Sequence, residues 1–336
     1  MAAEISIAPV LEHYPGLGPI RRVHSLANAG GFSGSLLWRI EREAGDLCLR
    51  RWPREHPSER QLAFIHDVLR TLGQSGLAFI PVPIPICKGK TLLSHDEHFW
   101  ELAPWVPGTA DFQEKPSRQR LENAMEAVAR MHHVSESLYP GCLQPSLTLF
   151  SRREQLLRLM AGDVDKIAAA VDCCSNPSLQ SRGKALLAHF RHRAQFTASC
   201  LDETTTMSVP LFPVIRDLWH DHILFTGDEV TGIVDFGAMR VDSAACDLSR
   251  LLASLLGNDR EAWEFARLAY NSIRPLSADE WRLAQVLNET NVILAGVNWL
   301  DWICVQGRSF DNYDAIYARL DDLLLRLETG GYSPPA

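Results

Sequence analysis

The sequence predicts an α+β fold in two lobes, a β-rich one over residues 1–104 and a mainly helical one over residues 105–336. Three observations carry this expectation. Between Arg21 and Trp52, β-rich runs alternate with turn residues. The segment Ala103-Pro104-Trp105-Val106-Pro107-Gly108 then breaks the pattern as a Pro/Gly-rich joint. Beyond it, apolar residues recur mostly at helical spacing. With 336 residues, 46% of them apolar, the chain is long enough to fill a sizeable core.

Taken in order, Val23 to Ala27 leads into Asn28-Ala29-Gly30-Gly31-Phe32-Ser33-Gly34-Ser35, and a second strand follows at Leu36 to Ile40. Glycines in such a turn let backbone N–H groups come close to an anion, because no Cβ intervenes. An ordinary hairpin turn is the plainer reading. It is not a Walker loop: the Lys-Ser/Thr pair is absent and a strand follows instead of a helix. Leu47 to Trp52 is the next strand, and its alternation puts Cys48 and Arg50 on one face. From there the stem of Arg50 reaches toward phosphates held under the glycine turn.

Ser58 with Gln61 forms a capping box, and Leu62, Ile65, Leu69 and Leu72 then follow helical spacing to Gly73. Glu59 and His66 flank this stripe, and either is placed to face the sheet. Ile80 to Pro85 is extended, and two further strands lie near Thr91–Ser94 and His98–Leu102. After the joint, helices are expected over residues 118–133, 153–169, 183–201 and 259–273. A second capping box at Ser277 and Glu280 opens a long helix toward Val305, and a last helix spans residues 313–327. On the long helix, Trp299, Asp301 and Trp302 form a candidate acceptor pocket for a cationic amine, with core packing as the plainer account.

Between these helices lies the stretch on which function turns, Val214 to Leu252. Ile223–Phe225 and Val230–Val234 flank the turn residues Thr226–Glu229, which predicts a hairpin. Hairpin closure brings Asp217 and His222, before the first strand, toward Asp235, after the second. Two carboxylates and an imidazole there suggest a metal site with a base beside it. His220-Asp221-His222 read alone as a metal-hydrolase cluster lacks the further helical ligands that such a site requires.

The net charge of -8, with no basic tract, argues against nucleic acid as a partner. No apolar run approaches a membrane span, and Met1 to Gly16 lacks the pattern of a secretory signal. The eight cysteines are scattered apart from the vicinal Cys173 and Cys174. They fit neither a zinc site nor a disulfide framework, so reduced thiols and a cytoplasmic location are expected.

A glycine turn, a cation on the third strand, a joint, and a helical lobe carrying this hairpin resemble, in that order, the aminoglycoside phosphotransferase-like family of small-molecule kinases. That family includes homoserine and choline kinases and is more distantly similar to protein kinases. Asp235-Phe236-Gly237 matches its metal-binding motif without change, Ile215-Arg216-Asp217 stands at its catalytic-loop motif, and Asp247-Leu248-Ser249 resembles its Asp-Leu-Ala signature. The resemblance implies a two-lobed protein-kinase-like fold and transfer of a phosphoryl group from ATP to a small-molecule hydroxyl. It implies Asp217 as the base and Asp235 with His222 as ligands of a divalent metal, magnesium or manganese. Asp247 would orient the loop, and Gly30, Gly31, Ser33 and Gly34 would cover the phosphates. Arg50 would replace the family's strand lysine, while Glu101, Ala103 and Trp105 would form the hinge holding the adenine. Glu59 and His66 are the candidates to pair with Arg50.

Four departures accompany the resemblance: Ile215 stands for histidine, Arg50 for lysine, His222 for asparagine, and the helix glutamate has no clear counterpart. A nucleotide-binding protein without catalysis is the alternative they motivate.

Overall fold

The computed structural model describes residues 6–27, 34–86, 89–308, 310 and 312–329. The chain divides into two compact units. The first comprises residues 1–138, 217–240 and 272–274; the second comprises residues 139–216, 241–271 and 275–336. The Pro/Gly joint therefore lies inside the first unit. The helix after the joint and the central hairpin both belong with the sheet.

In the first unit, β1 (Ile20–Ala27), β2 (Leu36–Arg42), β3 (Leu47–Arg51), β4 (Leu93–His95) and β5 (His98–Pro104) form an antiparallel sheet of order β1-β2-β3-β5-β4. Period-two alternation sorts its faces. Trp38, Ile40, Leu47, Leu49, Trp100 and Leu102 pack on one side with Val10 and Tyr14, and Trp38 stacks on Trp100 with ring centroids 5.5 Å apart. Arg50 and Glu101, directly opposite each other in register, fall on the other side. The helix α1 (Glu59–Gln74) starts where expected, with Ser58 Oγ accepting the Gln61 N–H, and buries Leu62, Ile65, His66, Leu69 and Leu72. The segment from Ile80 is extended, and the Ile84 N–H donates to the Leu102 carbonyl at 2.7 Å.

The helix α2 (Arg118–Ser137) and the hairpin of β6 (Ile223–Thr226) and β7 (Glu229–Ile233) complete this unit. The Thr109 N–H donates to the Phe225 carbonyl and Asn123 Nδ2 donates to the Asp228 carbonyl, both at 2.9 Å. The joint and α2 are thus tied to the hairpin.

The second unit is built from α3 (Leu147–Arg158), α4 (Val164–Asp172), α5 (Pro177–Thr204), α6 (Ala245–Leu256), α7 (Arg260–Asn271), α8 (Ala278–Leu300) and α9 (Tyr313–Thr329). The capping box of α8 is present as read. Several boundaries differ from the expectation: the helix read over 183–201 already begins at Pro177, and the one read over 118–133 continues to Ser137. The helix read over 153–169 starts earlier and splits at a wide turn, where Gly162 takes φ 133°. The helix read as running to Val305 changes to a wide turn at Asp301. Its packing is close: a Cβ on Gly296 of α8 would stand 2.9 Å from Leu186 of α5.

The early start of α3 has a cause that lies 94 residues away in sequence. Asp242, buried, accepts hydrogen bonds from Ser146 Oγ (2.6 Å), the Thr148 N–H (3.1 Å), Thr148 Oγ1 (2.6 Å) and the Ser243 N–H (2.9 Å). A carboxylate at a helix N-terminus satisfies otherwise orphaned N–H groups and favours the helix dipole. Asp242→Ala strands these buried donors, so it should cost about 3–5 kcal/mol. Urea unfolding of the two proteins measures the difference, and a loss below 1 kcal/mol (roughly a surface effect) would refute the role.

Candidate active site

The centre of the site is a charged cluster between the sheet and α1. Arg50 Nη1 lies 3.2 Å from Asp235 Oδ1, and Arg50 Nε lies 3.8 Å from Glu101 Oε1. On the far side of Glu101, His66 Nε2 is 2.7 Å from Oε2, and His66 Nδ1 is 2.8 Å from Thr91 Oγ1. Of the two candidates on α1, His66 faces the sheet and is buried, whereas Glu59 is exposed in the first turn. The acid beside Arg50 comes from β5. Glu101, expected in the hinge for its backbone, places its side chain in this cluster.

The electrostatics follow from the contacts. Burial opposes the ionised form of Glu101, but the hydrogen bond and charge of His66, with Arg50, outweigh it and hold the carboxyl below its usual value. Asp235 behaves alike: burial works against it, and the charge and hydrogen bond of Arg50 prevail. Burial also works against the cation of Arg50, yet Asp235 and Glu101 raise its pKa further. Trp52, just past the end of β3, braces the arrangement. The guanidinium of Arg50 sits 4.7 Å above the ring of Trp52. The same ring approaches Gly237 so closely that a Cβ there would lie 2.9 Å from it. This is why glycine stands third in Asp235-Phe236-Gly237.

The hairpin does what its spacing predicts at its open end. Ile223 pairs with Ile233, and the Val234 N–H donates to the His222 carbonyl at 3.0 Å. His222 Nε2 thereby lies 3.8 Å from Asp235 Oδ2. Asp235 adopts φ 63°, a left-handed conformation that Asp tolerates better than most residues, and the Gly237 N–H donates to its carboxylate. Gln61 Nε2 of α1 donates to the Met239 carbonyl, tying this loop to the helix. Asp217 is half-buried, just ahead of the helical turn His220–His222.

A divalent metal has one ready ligand in this cluster. Asp235 offers a carboxylate of the kind that holds magnesium together with substrate phosphates. His222 is engaged differently: Trp219 Nε1–H donates to its Nε2 at 2.8 Å. In this arrangement the imidazole proton resides on Nδ1, and the Nε2 lone pair points at the indole. Among the described residues, no group of three or more His, Cys, Asp or Glu side chains is arranged to hold a metal unaided. The residues fit a metal shared between Asp235 and phosphates, with His222 joining only when its bond to Trp219 opens.

In the second unit, Asp247 of α6 is wholly buried and accepts the N–H groups of Ile215 (2.8 Å) and Arg216 (2.5 Å). Arg216 is left-handed, with φ 69°. Two hydrogen bonds from consecutive N–H groups to one carboxylate hold that unfavourable conformation immediately ahead of Asp217.

The remaining expected residues lie elsewhere. Gly30, Gly31 and Ser33 lie outside the described residues, and Gly34 takes φ 71°. Ala103 pairs with Cys48 in the sheet, while the Trp105 N–H donates to the Asp46 carbonyl and Arg39 lies over its ring. Trp299 and Trp302 meet edge to face at 5.3 Å beside Phe310. Arg308 covers Trp302 at 5.2 Å, and Asp301 accepts from Gln306 Nε2. This aromatic group already holds a cation of its own chain. Glu101 as the partner of Arg50 was missed because strand register is not written in composition.

A model of the phosphotransferase enzyme family matches residues 26–282. Homoserine kinase from Methylocella silvestris is 24% identical over 315 residues, covering 90% of this chain and 87% of that protein. Among solved structures, spectinomycin phosphotransferase in complex with ADP and spectinomycin covers 96% of both chains, with a TM-score of 0.69 and 11% identity. The microcompartment-associated aminopropanol kinase covers 95% of both chains, with a TM-score of 0.65 and 14% identity. The fold is therefore the protein-kinase-like one, a β-rich part followed by a mainly helical part, as the sequence leads one to expect.

The pH behaviour of the cluster has a definite sign. Glu101 and Asp235 have folded-state pKa values below their usual ones, so the stability they contribute is complete above the unfolded carboxyl pKa of about 4. It disappears as pH falls through the folded-state values. Glu101→Gln should cost about 1–3 kcal/mol at pH 7, and the difference from wild type should shrink below about pH 4. Urea midpoints across that range test this; a gap that widens on acidification would overturn it.

Proposed function

The chain belongs to the phosphotransferase enzyme family, and from that premise we propose that it moves the γ-phosphate of ATP to a hydroxyl of a small molecule. The observation that carries this reading is the cluster of Arg50, Asp235 and Glu101, which sets a charged fork and a carboxylate 3.2 Å apart. Phosphoryl transfer needs little covalent chemistry from the protein, so positioning and charge neutralisation suffice. ADP in the spectinomycin enzyme supports a nucleotide as donor. The homoserine and aminopropanol kinases support an acceptor that is a small alcohol.

In this reading Arg50 turns its fork from Asp235 toward the nucleotide phosphates, while Glu101 and His66 keep the guanidinium aligned. Gly34 and the glycine turn before it cover those phosphates, and the backbone from Glu101 through Ala103 to Trp105 receives the adenine. Asp217 accepts the proton of the acceptor hydroxyl as the new bond to phosphorus forms. Asp235, joined by His222, would hold a divalent metal, which would supply neutralisation of phosphate charge. Asp247 keeps the chain entering Asp217 in its strained conformation.

One observation favours a second reading, a nucleotide-binding protein without turnover: Trp219 engages the imidazole that the metal would use. Release of ADP in the presence of a range of alcohols decides between them. Asp217→Asn should retain nucleotide binding by calorimetry and lose about 10²–10⁴ in transfer rate. Normal turnover of that variant would rule Asp217 out as the base.

Imidazole suits manganese better than magnesium, so manganese should support turnover at least as well. Trp219→Phe frees Nε2 and should raise the ratio of manganese-supported to magnesium-supported rates. A ratio unchanged by that substitution removes His222 from the ligand set.

A further inference from the structure

Within the second unit lies a cavity of about 190 Å³ that the assignments above leave unused. Its walls are Thr148, Ser151, Arg152 and Gln155 of α3, Cys246 of α6, and Arg216. The larger cavity of about 770 Å³ at the joint is a weaker candidate. Of its charged groups, Asp111, Lys115 and Arg120 are already paired with one another.

The smaller cavity is cationic. Arg152 and Arg216 both line it, and Arg250 lies close enough to act on Arg152 electrostatically. Two carboxylates that act on this wall, Asp242 and Asp247, have their oxygens engaged by other donors. Asp242 is taken by Ser146, Thr148 and Ser243, and Asp247 by the N–H groups of Ile215 and Arg216. Arg152 itself donates through Nη1 to the Leu287 carbonyl (2.7 Å) and to Thr290 Oγ1 (3.0 Å), both neutral acceptors. Burial, with Arg250 and Arg216 as like charges, lowers its pKa to about 10. It remains charged at neutral pH, and the acceptors its Nη1 meets carry no charge to offset it. The first turns of α3 and α6 also contribute Thr148 and Cys246 to the wall. At roughly 30 Å³ per water, the space equals about six waters. It is smaller than the roughly 300–1,000 Å³ of sites for drug-sized ligands. That is room for a small anionic group of a few non-hydrogen atoms.

We propose that this cavity is an acceptor subsite for a carboxylate, held by Arg152 and Arg216, which makes the acceptor a small hydroxy acid such as a hydroxyl-bearing amino acid. The proposal rests on the phosphotransferase reading. It separates this chain from enzymes of the same fold whose acceptors lack an acid group. Arg216 is bonded to Asp217, so the chain that presents the base also carries one of the two anion-binding cations. Arg152, fixed by Thr290 and the Leu287 carbonyl, supplies a fork of fixed direction, which suits the two oxygens of a carboxylate.

The test uses three matched pairs differing only by the carboxylate: L-homoserine with 3-aminopropan-1-ol, L-serine with ethanolamine, and L-threonine with 1-aminopropan-2-ol. Binding to the full chain is measured by calorimetry with and without a non-hydrolysable ATP analogue. ADP release on the same six compounds is a separate readout. At least one acid should bind about tenfold or more tightly than its partner, since a charged hydrogen bond is worth that much. Arg152→Gln and Arg216→Gln should each remove most of that preference, lowering acid affinity by a larger factor than amino-alcohol affinity. Arg216 is exposed, so its variant serves if the Arg152 variant fails to fold. The proposal is overturned if no acid binds, if acid and alcohol bind alike, or if the preference survives in Arg216→Gln. It is also overturned if inorganic phosphate competes as strongly as the acid, which marks a general anion site. An acid preference in binding without ADP release sinks the phosphotransfer reading and leaves the carboxylate site standing. ADP release without an acid preference does the reverse.

Discussion

A guanidinium whose side chain is only 17% exposed keeps its charge at a cost that neighbouring anions must offset, and Arg50 is placed under that constraint by the alternation of β3. Leu47 and Leu49 belong to the apolar face, so Arg50 must point to the other. One anion arrives through the sheet: register sets Glu101 of β5 directly opposite. The other arrives from outside it, where hairpin closure delivers Asp235. Trp52 and Gly237 set how near that loop may come. Sheet, helix and hairpin thus meet in one charge balance within the first unit.

Seen this way, the departures from the family pattern belong together. A lysine places a point charge, whereas arginine offers a planar fork that addresses two acids at once. The acid that the family draws from the helix comes here from the neighbouring strand. The helix contributes the imidazole of His66 instead, bonded to that acid and anchored in turn by Thr91. Replacing one member alone would leave a buried charge or a buried imidazole without its complement.

Much of this was legible in the sequence, and what was not has a physical pattern. The sheet strands, the capped helix from Ser58, the hairpin and the joint follow from period, caps and turn chemistry, which act between near neighbours. The convergence of His222 and Asp235 was legible because a hairpin links distant residues by a local rule. Glu101 beside Arg50 was not, since β3 and β5 are separated by a helix, an extended segment and a strand whose pairing no local signal states. Nor was Asp242, whose donors lie across 94 residues. The bond from Trp219 to His222 is short in sequence, but it depends on a turn whose geometry the residue types do not specify. The cationic cavity escaped notice for the same reason as Asp242: Arg152 and Arg216 are far apart in the chain and meet only in the folded second unit.

The grip of Asp247 on the backbone at Ile215 and Arg216 bears on how this loop tolerates change. Backbone amides are present whatever side chain is attached, so the loop's shape is held by a contact that is blind to residue identity. Position 215, fully buried, is then answerable to packing rather than to hydrogen bonding, and isoleucine fills it with no polar group to satisfy. An apolar side chain is thereby compatible with the loop's shape at position 215, while position 247 must supply a carboxylate. The apolar letter of the motif and the carboxylate behind it are two sides of a single contact.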